Sequence, residues 1–271
     1  MCIVAIAWHV LPDQPLILLN NRDEFLNRPT AALATWSDAP IIAGRDLQSG
    51  GAWLGINPAG RWAVLTNYRE PISKDGPVLS RGQLVADYLQ SDQSPMDYAR
   101  AIDLRAYPAF NLIVGTLDQA VVVSNRGMAP TPLAAGLYVL SNALIDQPWP
   151  KVERLRQRVT QEVLPLIGQA NPDPSASVQP SDWIHVALDV LADPRQAEED
   201  QLPETGISTE WEKMLSPILI ESPIYGTRTS SVLALTRQGY RFVELDRIDL
   251  ARQVEMTGPW HRQQEVLTPF I

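Results

Sequence analysis

The sequence is poor in cysteine and histidine, and this scarcity excludes several kinds of site. Its single cysteine cannot form an intrachain disulfide, a composition typical of a reducing compartment, so we expect a cytoplasmic protein. None of the three histidines stands at metal-ligand spacing from another histidine or from the cysteine, and no C-x-x-C-H motif is present. The sequence therefore predicts no metal site and no covalently attached haem.

Basic residues are also scarce, and the chain lacks a long apolar run. It has 22 Lys and Arg against 31 Asp and Glu, a net charge of −9. This balance disfavours non-specific binding to nucleic acid or to an anionic membrane. The first basic residue is Arg22, and His9 and Pro12 interrupt the apolar start of the chain. We therefore expect neither a signal peptide nor a transmembrane segment.

Hydrophobic periodicity predicts a layered α+β fold. With 271 residues, 45% of them hydrophobic, the chain is long enough to bury one large core. Residues 2–10 and 15–21 predict two strands around a turn at 12–15, both apolar on both faces, as in a sheet covered on two sides. Groups of further strands alternate with helices, the clearest of them over 150–167. Because we find no internal repeat and no linker, we expect a single domain over 1–271.

Three adjacent charged residues, Arg22, Asp23 and Glu24, end the second of these predicted strands. Charges at the end of a core strand are costly unless they meet partners or take part in chemistry. Pairing of the two strands around their turn brings this charged cluster beside Cys2. In one register Asp23 shares the face of Cys2, and a slip of one residue places Arg22 and Glu24 there instead. Either register brings a charged residue to the thiol.

A cysteine at position 2 can combine a nucleophile and a base in one residue. Methionine aminopeptidase removes Met1 when the second residue is small, and the product carries a thiol and a free α-amine on Cys2. The amine has a pKa of roughly 7.7–8.0 in a model peptide and can act as a general base. A nearby Arg favours the thiolate, and an acid orients the amine. His9 is a poor base, since it lies about 23 Å along the same strand on the opposite face. The alternative is a small core residue beside an ion-pair network.

The sequence resembles the NRDE family, also called the transport-and-Golgi-organisation protein 2 family. The likeness spans nearly the whole chain, in order, and this family is similar to the N-terminal-nucleophile hydrolases of the cysteine type, such as penicillin V acylases and bile salt hydrolases. The resemblance implies a four-layer αββα sandwich. It rests on five stretches: MCIVAIAWHV, NNRDE, GRDLQSGGAWLGINPAGRWAVLTNYRE at 44–70, LSNALIDQPWPKV at 140–152 and YGTRTSSVLAL at 225–235.

The resemblance also implies roles for individual residues. Cys2 matches the nucleophile, and Arg22 with Asp23 or Glu24 matches the charged pair of the second strand. The related hydrolases have the acid three residues after the arginine, whereas here two acids follow at once, so the identity of the acid stays open.

Three further matches come from later in the chain. The side-chain N–H of Asn142 and a main-chain group near Asn67 are implied to form an oxyanion hole and an anchor for the amine. Arg228 is implied to hold the thiolate together with Arg22. The implied reaction is acyl transfer from a small amide or ester through an acyl-thiol intermediate to water.

Members of the same family are linked to haem trafficking, lipid metabolism and secretory organisation, which implies a non-catalytic alternative. In that alternative the protein binds an acyl ligand, or carries haem in an apolar pocket lined by some of its eight tryptophans. Axial ligation would then come from His9, from His185 or from neither. His261 lies in a late segment flanked by proline. A scaffold with a closed pocket is the third interpretation, and the sequence specifies neither the substrate nor the oligomeric state.

Overall fold

Strands that are apolar on both faces form the centre of the fold. The computed structural model describes residues 2–71, 79–169 and 183–260, so Met1 and His261 lie outside these ranges. In chain order the strands are β1 Cys2–Leu11, β2 Gln14–Phe25, β3 Thr30–Thr35, β4 Ile42–Asp46, β5 Leu54–Ile56, β6 Trp62–Asn67, β7 Phe110–Gly115, β8 Ala120–Ser124, β9 Met128–Pro132, β10 Gly136–Leu140, β11 Tyr225–Leu235, β12 Gly239–Asp246 and β13 Gln253–Pro259.

Helices lie in three groups along the chain, mostly in the connections between strands. They are α1 Arg81–Gln90, α2 Pro95–Ala101, α3 Pro150–Arg158, α4 Leu164–Gln169, α5 Trp183–Val190 and α6 Thr209–Met214. A π-helical segment, Val159–Val163, joins α3 to α4, and a 3₁₀ turn covers Glu199–Gln201. No helix of the described ranges is both long and apolar enough to cross a bilayer.

The strands form two antiparallel sheets. The first sheet has the order β10-β1-β2-β11-β12-β13, and the second has the order β3-β4-β5-β6-β7-β8-β9. Alternate side chains of β1 point to opposite faces, as the two-residue period of a strand requires. Ile3, Ala5 and Ala7 pack against α3 and α5, whereas Val4, Ile6 and Trp8 pack against the second sheet.

Three apolar cores therefore separate four layers. One lies between α3 to α5 and the first sheet, one between the two sheets, and one between the second sheet and the pair α1 and α2. The layer order is helix, sheet, sheet, helix. This confirms the predicted α+β class and the four-layer αββα sandwich.

The pairing of β1 with β2 places Cys2 directly opposite Arg22. Opposite residues of an antiparallel pair project to the same face, so Arg22, rather than Asp23, shares the face of Cys2. Of the two registers that the sequence left open, the structure therefore has the one that places Arg22 on the face of Cys2. The strands run through to Leu11 and Gln14, and a bulge between Trp8 and Leu11 shifts the pairing.

Candidate active site

Cys2 opens into a cavity of about 190 Å³ where β1 begins and β6 ends. It is the first residue of β1, and only 6% of it is exposed. Side chains far apart in the sequence meet at its thiol. The predicted site residues that line this cavity are Cys2, Arg22, Asp23, Glu24 and Asn67.

Arg22 is fixed opposite Cys2 by three contacts. Its Nη2 lies 3.0 Å from Oδ2 of Asp46, and its Nη1 donates to Oγ1 of Thr30 at 3.1 Å. Its guanidinium carbon lies 4.4 Å from the centre of the Trp53 ring. Because Arg22 is only 4% exposed, its charge acts on the thiol with little screening by solvent.

The thiol is nevertheless held in its neutral form. Burial raises the pKa of Cys2, the carboxylate of Asp23 raises it further, and Arg22 opposes both. Arg22 favours the thiolate, as predicted, but desolvation of the buried thiol outweighs the effect of this guanidinium. Attack by such a thiol requires a base that removes its proton as the sulfur forms a bond.

The two candidate acids have different surroundings. Asp23 is 1% exposed, and its Oδ1 accepts a hydrogen bond of 2.7 Å from Oγ1 of Thr227. Burial raises the pKa of Asp23, and the nearby cation of Lys151 opposes this shift. The side chain of Glu24 is 21% exposed and accepts from the main-chain N–H of Phe25. Asp23 therefore has the buried setting suited to orienting an amine, whereas Glu24 lies at the rim.

The two asparagines are linked, but only one of them faces the cavity. Nδ2 of Asn142 donates to the main-chain carbonyl oxygen of Asn67 at 2.9 Å, and Asn142 is fully buried behind the cavity. Its amide N–H therefore holds the end of β6. The side chain of Asn67 makes no hydrogen bond with any described residue. Of the two asparagines, Asn67 therefore lines the cavity, whereas the amide of Asn142 is engaged behind it.

Arg228 does not line the cavity at Cys2. Its Nη1 donates to three main-chain carbonyl oxygens of the turn that follows β2, at 2.7 to 3.3 Å. A bulge in β11 between Thr227 and Thr229 interrupts the alternation of side chains and directs Arg228 to this turn. The acceptors belong to Phe25, Leu26 and Arg28.

Sequence reasoning missed two cations near the thiol, Arg81 and Lys151, and a third near Asp23, Arg69. Lys151 is 3% exposed, and its Nζ donates to the carbonyl oxygen of Leu215 at 3.0 Å and lies 3.5 Å from Oδ1 of Asn142. Burial lowers the pKa of Lys151 to about 7, and the charge of Arg69 adds to this shift. One signal was available, since a lysine in the first turn of a helix is unfavourable beside the helix dipole.

This lowered pKa predicts a pH-dependent stability that Lys151→Met removes. Between pH 7 and 10.5 the unfolded chain holds a proton on Lys151 that the folded protein has released. The free energy of unfolding of the wild type therefore rises with pH, relative to that of Lys151→Met, by on the order of 2 kcal/mol from pH 7 to 9. Urea denaturation of both proteins at the two pH values measures the difference. Parallel pH profiles would contradict the buried, proton-releasing lysine, because the loss of its hydrogen bonds alone is independent of pH.

The two described histidines, His9 and His185, do not line the cavity at Cys2. His9 is exposed, with Nε2 at 3.1 Å from the carbonyl oxygen of Leu117, and His185 lies in α5. Trp53 is the one tryptophan among the described residues that line the cavity. In this cavity the haem alternative is therefore left with the form that uses neither histidine as an axial ligand. Within the described ranges, no three or more His, Cys, Asp and Glu side chains are grouped to hold a metal ion.

Known proteins match this chain over most of its length. A family model described as Transport and Golgi organisation 2 matches residues 1–248. The Transport and Golgi organization protein 2 homolog of Bos taurus is 34% identical, covering 89% of this chain and 90% of that protein. The homolog of Homo sapiens is 32% identical, covering 92% of this chain and 94% of that protein.

A solved structure of the Caenorhabditis elegans N-acylethanolamine-hydrolyzing acid amidase ortholog is 13% identical, with a TM-score of 0.43, covering 86% of this chain and 92% of that chain. The family assignment rests on the sequence matches alone. Because the family model matches residues 1–248 and two relatives are 34% and 32% identical, this chain belongs to the Transport and Golgi organisation 2 family.

Proposed function

We propose that the protein is a cysteine acyl-transfer enzyme that hydrolyses a small amide or ester. The observation that carries the proposal is that Cys2 lines a cavity together with Arg22, Asp23 and Asn67, whose side-chain amide is bound by no described residue. A cysteine that only fills the core does not require an arginine, a buried acid and such an amide around one opening.

In the proposed first step, removal of Met1 leaves Cys2 with a free α-amine. As the sulfur of Cys2 forms a bond to the substrate carbonyl carbon, the thiol proton passes to this amine, whose pKa in a model peptide is roughly 7.7–8.0. The side-chain amide of Asn67 donates to the oxygen that becomes negative. Asp23 orients the ammonium group that forms, because a buried carboxylate stabilises a neighbouring cation.

The second half of the proposed cycle restores the enzyme. The bond to the leaving amine or alcohol breaks, the ammonium group returns its proton to that leaving group, and an acyl thioester remains on Cys2. Water then attacks the thioester and passes a proton to the α-amine. The carbon–sulfur bond breaks, the acid is released, and the departing sulfur regains the proton.

Intact-mass analysis tests this mechanism directly. We expect the active protein to lack Met1 and to gain one acyl group on its N-terminal peptide after brief treatment with p-nitrophenyl acetate. Cys2→Ala is the matched control and should gain none, because Cys2 is the only cysteine. Complete retention of Met1 on active protein contradicts the mechanism, since the α-amine is then part of a peptide bond. The proposed location is the cytoplasm, where a thiol stays reduced.

The low exposure of Cys2, at 6%, favours one alternative, in which the same cavity binds an acyl ligand without turnover. This alternative expects a ligand to stabilise Cys2→Ala as much as the wild type, by about 2.7 kcal/mol at a hundredfold excess over Kd. Thermal unfolding with a panel of acyl compounds and haem distinguishes the two functions. Binding without product release supports the alternative, and product release supports hydrolysis.

A further inference from the structure

Three arginine side chains among the described residues line the cavity, and they differ in whether an acid neutralises their charge. Arg22 and Arg28 both contact the carboxylate of Asp46, at 3.0 and 2.6 Å. Arg81 makes no ion pair with any described acid, and its one hydrogen bond runs from Nη1 to the carbonyl oxygen of Ala109 at 3.0 Å. The edge of its guanidinium formed by Nε and Nη2 therefore has no partner among the described residues.

Arg81 is the first residue of α1, and this end of the helix faces the cavity. The side chain of Ser80 accepts no capping hydrogen bond, and the first turn contains no acidic residue. Gly82 lines the cavity, and a Cβ on Gly51 would lie 2.3 Å from the carbonyl carbon of Gly82, so the main chain is closely packed here. The positive end of the helix dipole thus adds to the charge of Arg81 at a fixed position.

The charge of Arg81 acts close to the thiol. Burial lowers the pKa of Arg81, and the neighbouring groups of Cys2 and Glu24 oppose this shift. Glu24 is the carboxylate that competes for Arg81, but it accepts from the main-chain N–H of Phe25 at 2.9 Å and lies 3.8 Å from Arg28. The cavity therefore contains a cation, Arg81, beside the nucleophile Cys2, and no described acid forms an ion pair with this cation.

We infer that the cavity binds a carboxylate of the ligand, and that Arg81 holds it through Nε and Nη2 at the N-terminal end of α1. One edge of a planar guanidinium matches a carboxylate with two parallel hydrogen bonds. A net charge of −9 repels such a ligand elsewhere on the protein, so a local cation is needed to admit it. Taken with the proposed function on which this step rests, the substrate is an amide or ester that also carries a carboxylate.

Alkylation of Cys2 by iodoacetate and by iodoacetamide tests the inference without knowledge of the substrate. In both reactions the sulfur forms a bond to carbon, iodide leaves, and the thiol proton is released to solvent. The two reagents differ in that iodoacetate carries a carboxylate where iodoacetamide carries a neutral amide. Mass spectrometry reports the rate at one position, because the chain has a single cysteine. The raised pKa of the thiol slows the reactions with both reagents by the same factor, so it does not change the ratio of the two rate constants.

We expect the ratio of the iodoacetate to the iodoacetamide rate constant to be about 10-fold or more higher in the folded protein than in the chain unfolded in urea. Arg81→Gln should lower the ratio to that of the unfolded chain. Arg81→Lys keeps the charge without the planar edge and should give an intermediate ratio. Arg105→Gln, which removes an exposed arginine outside the cavity, should keep the ratio of the wild type.

The inference is overturned if the folded and unfolded ratios agree, if Arg81→Gln keeps the high ratio, or if the folded protein reacts with neither reagent. A purely structural role of Arg81 would change both rate constants together and leave their ratio high. Alkylation requires no turnover, so a protein that hydrolyses nothing still shows the preference if the carboxylate site is present. A hydrolase that shows no preference overturns this inference and leaves the proposed function in place.

Discussion

Replacing Cys2 by alanine is expected to lower kcat for amide or ester hydrolysis by about four orders of magnitude, because the acyl group then has no nucleophile to join. The fold should survive, since the change removes one sulfur atom at the end of a strand and costs about 1 kcal/mol or less of the free energy of unfolding. Product release measured by chromatography gives kcat, and urea denaturation gives the stability.

Cys2→Ser supplies the matched control for this experiment. It keeps the shape of the side chain and a proton to transfer, but its oxygen is a weaker nucleophile than sulfur, so we expect slow residual turnover. Asn67→Ala should fold and lose about 100-fold in kcat if its amide stabilises the oxyanion. Turnover by Cys2→Ala at the rate of the wild type would contradict a role of the thiol as nucleophile and leave binding as the function of the cavity.

Much of the central fold was predictable from apolar patterns. Strands that are apolar on both faces require cover on both sides, and this requirement leads from β1 and β2 to two packed sheets between helices. Edge strands were harder to predict from the sequence. β3 and β9 were not predicted. Both lie at sheet edges with half-exposed side chains, so they lack the apolar signal on which the prediction depends.

The register of β1 against β2 was not predictable. It depends on a bulge between Trp8 and Leu11, where His9 has a positive φ of 48°. A bulge of this kind has no sequence signature outside glycine. The same limit applies to Arg228, which a second bulge removes from the regular alternation of β11.

The candidate site was partly predictable because its motifs occupy strand ends. Cys2 begins β1, Asn67 ends β6, and Arg22 lies close to the end of β2, where the strand ends of the layered sheets converge. The burial of Arg81 and Lys151 was not predictable, because each lies in the first turn of a helix whose position against the sheets is set by contacts distant in the sequence. The unfavourable place of a lysine beside the helix dipole marks Lys151 as unusual, but it does not show that the side chain is buried.

A buried ion pair behind Asp23 leads to the second large expected effect. Nη1 of Arg69 pairs with Oε2 of Glu212, and the two side chains are only 3% and 4% exposed. The guanidinium also lies 4.7 Å from the centre of the Trp149 ring, and the main-chain N–H of Thr205 donates to Glu212 at 3.1 Å. Burial lowers the pKa of Arg69, and Glu212 opposes this shift, so the pair keeps the guanidinium charged.

Glu212→Ala should lower the free energy of unfolding by about 3–5 kcal/mol, because it leaves the charge of Arg69 buried without its partner. Urea denaturation measures the loss. The chain offers a matched control in the exposed pair of Lys213 and Glu199, at 3.0 Å, where Glu199→Ala should cost about 1 kcal/mol or less. A loss for Glu212→Ala as small as that of the control would contradict the buried pair.

The double variant Arg69→Met with Glu212→Leu separates the burial of charge from the packing of the helical layer. Replacing both partners removes the two desolvation penalties together, and apolar side chains of similar volume keep the contact with Trp149. We therefore expect the double variant to recover most of the stability lost in Glu212→Ala. Because Arg69 also opposes the raised pKa of Asp23, the double variant should raise that pKa further. Its hydrolysis of an amide or ester should then weaken at low pH earlier than that of the wild type, as Asp23 becomes protonated and no longer orients the amine.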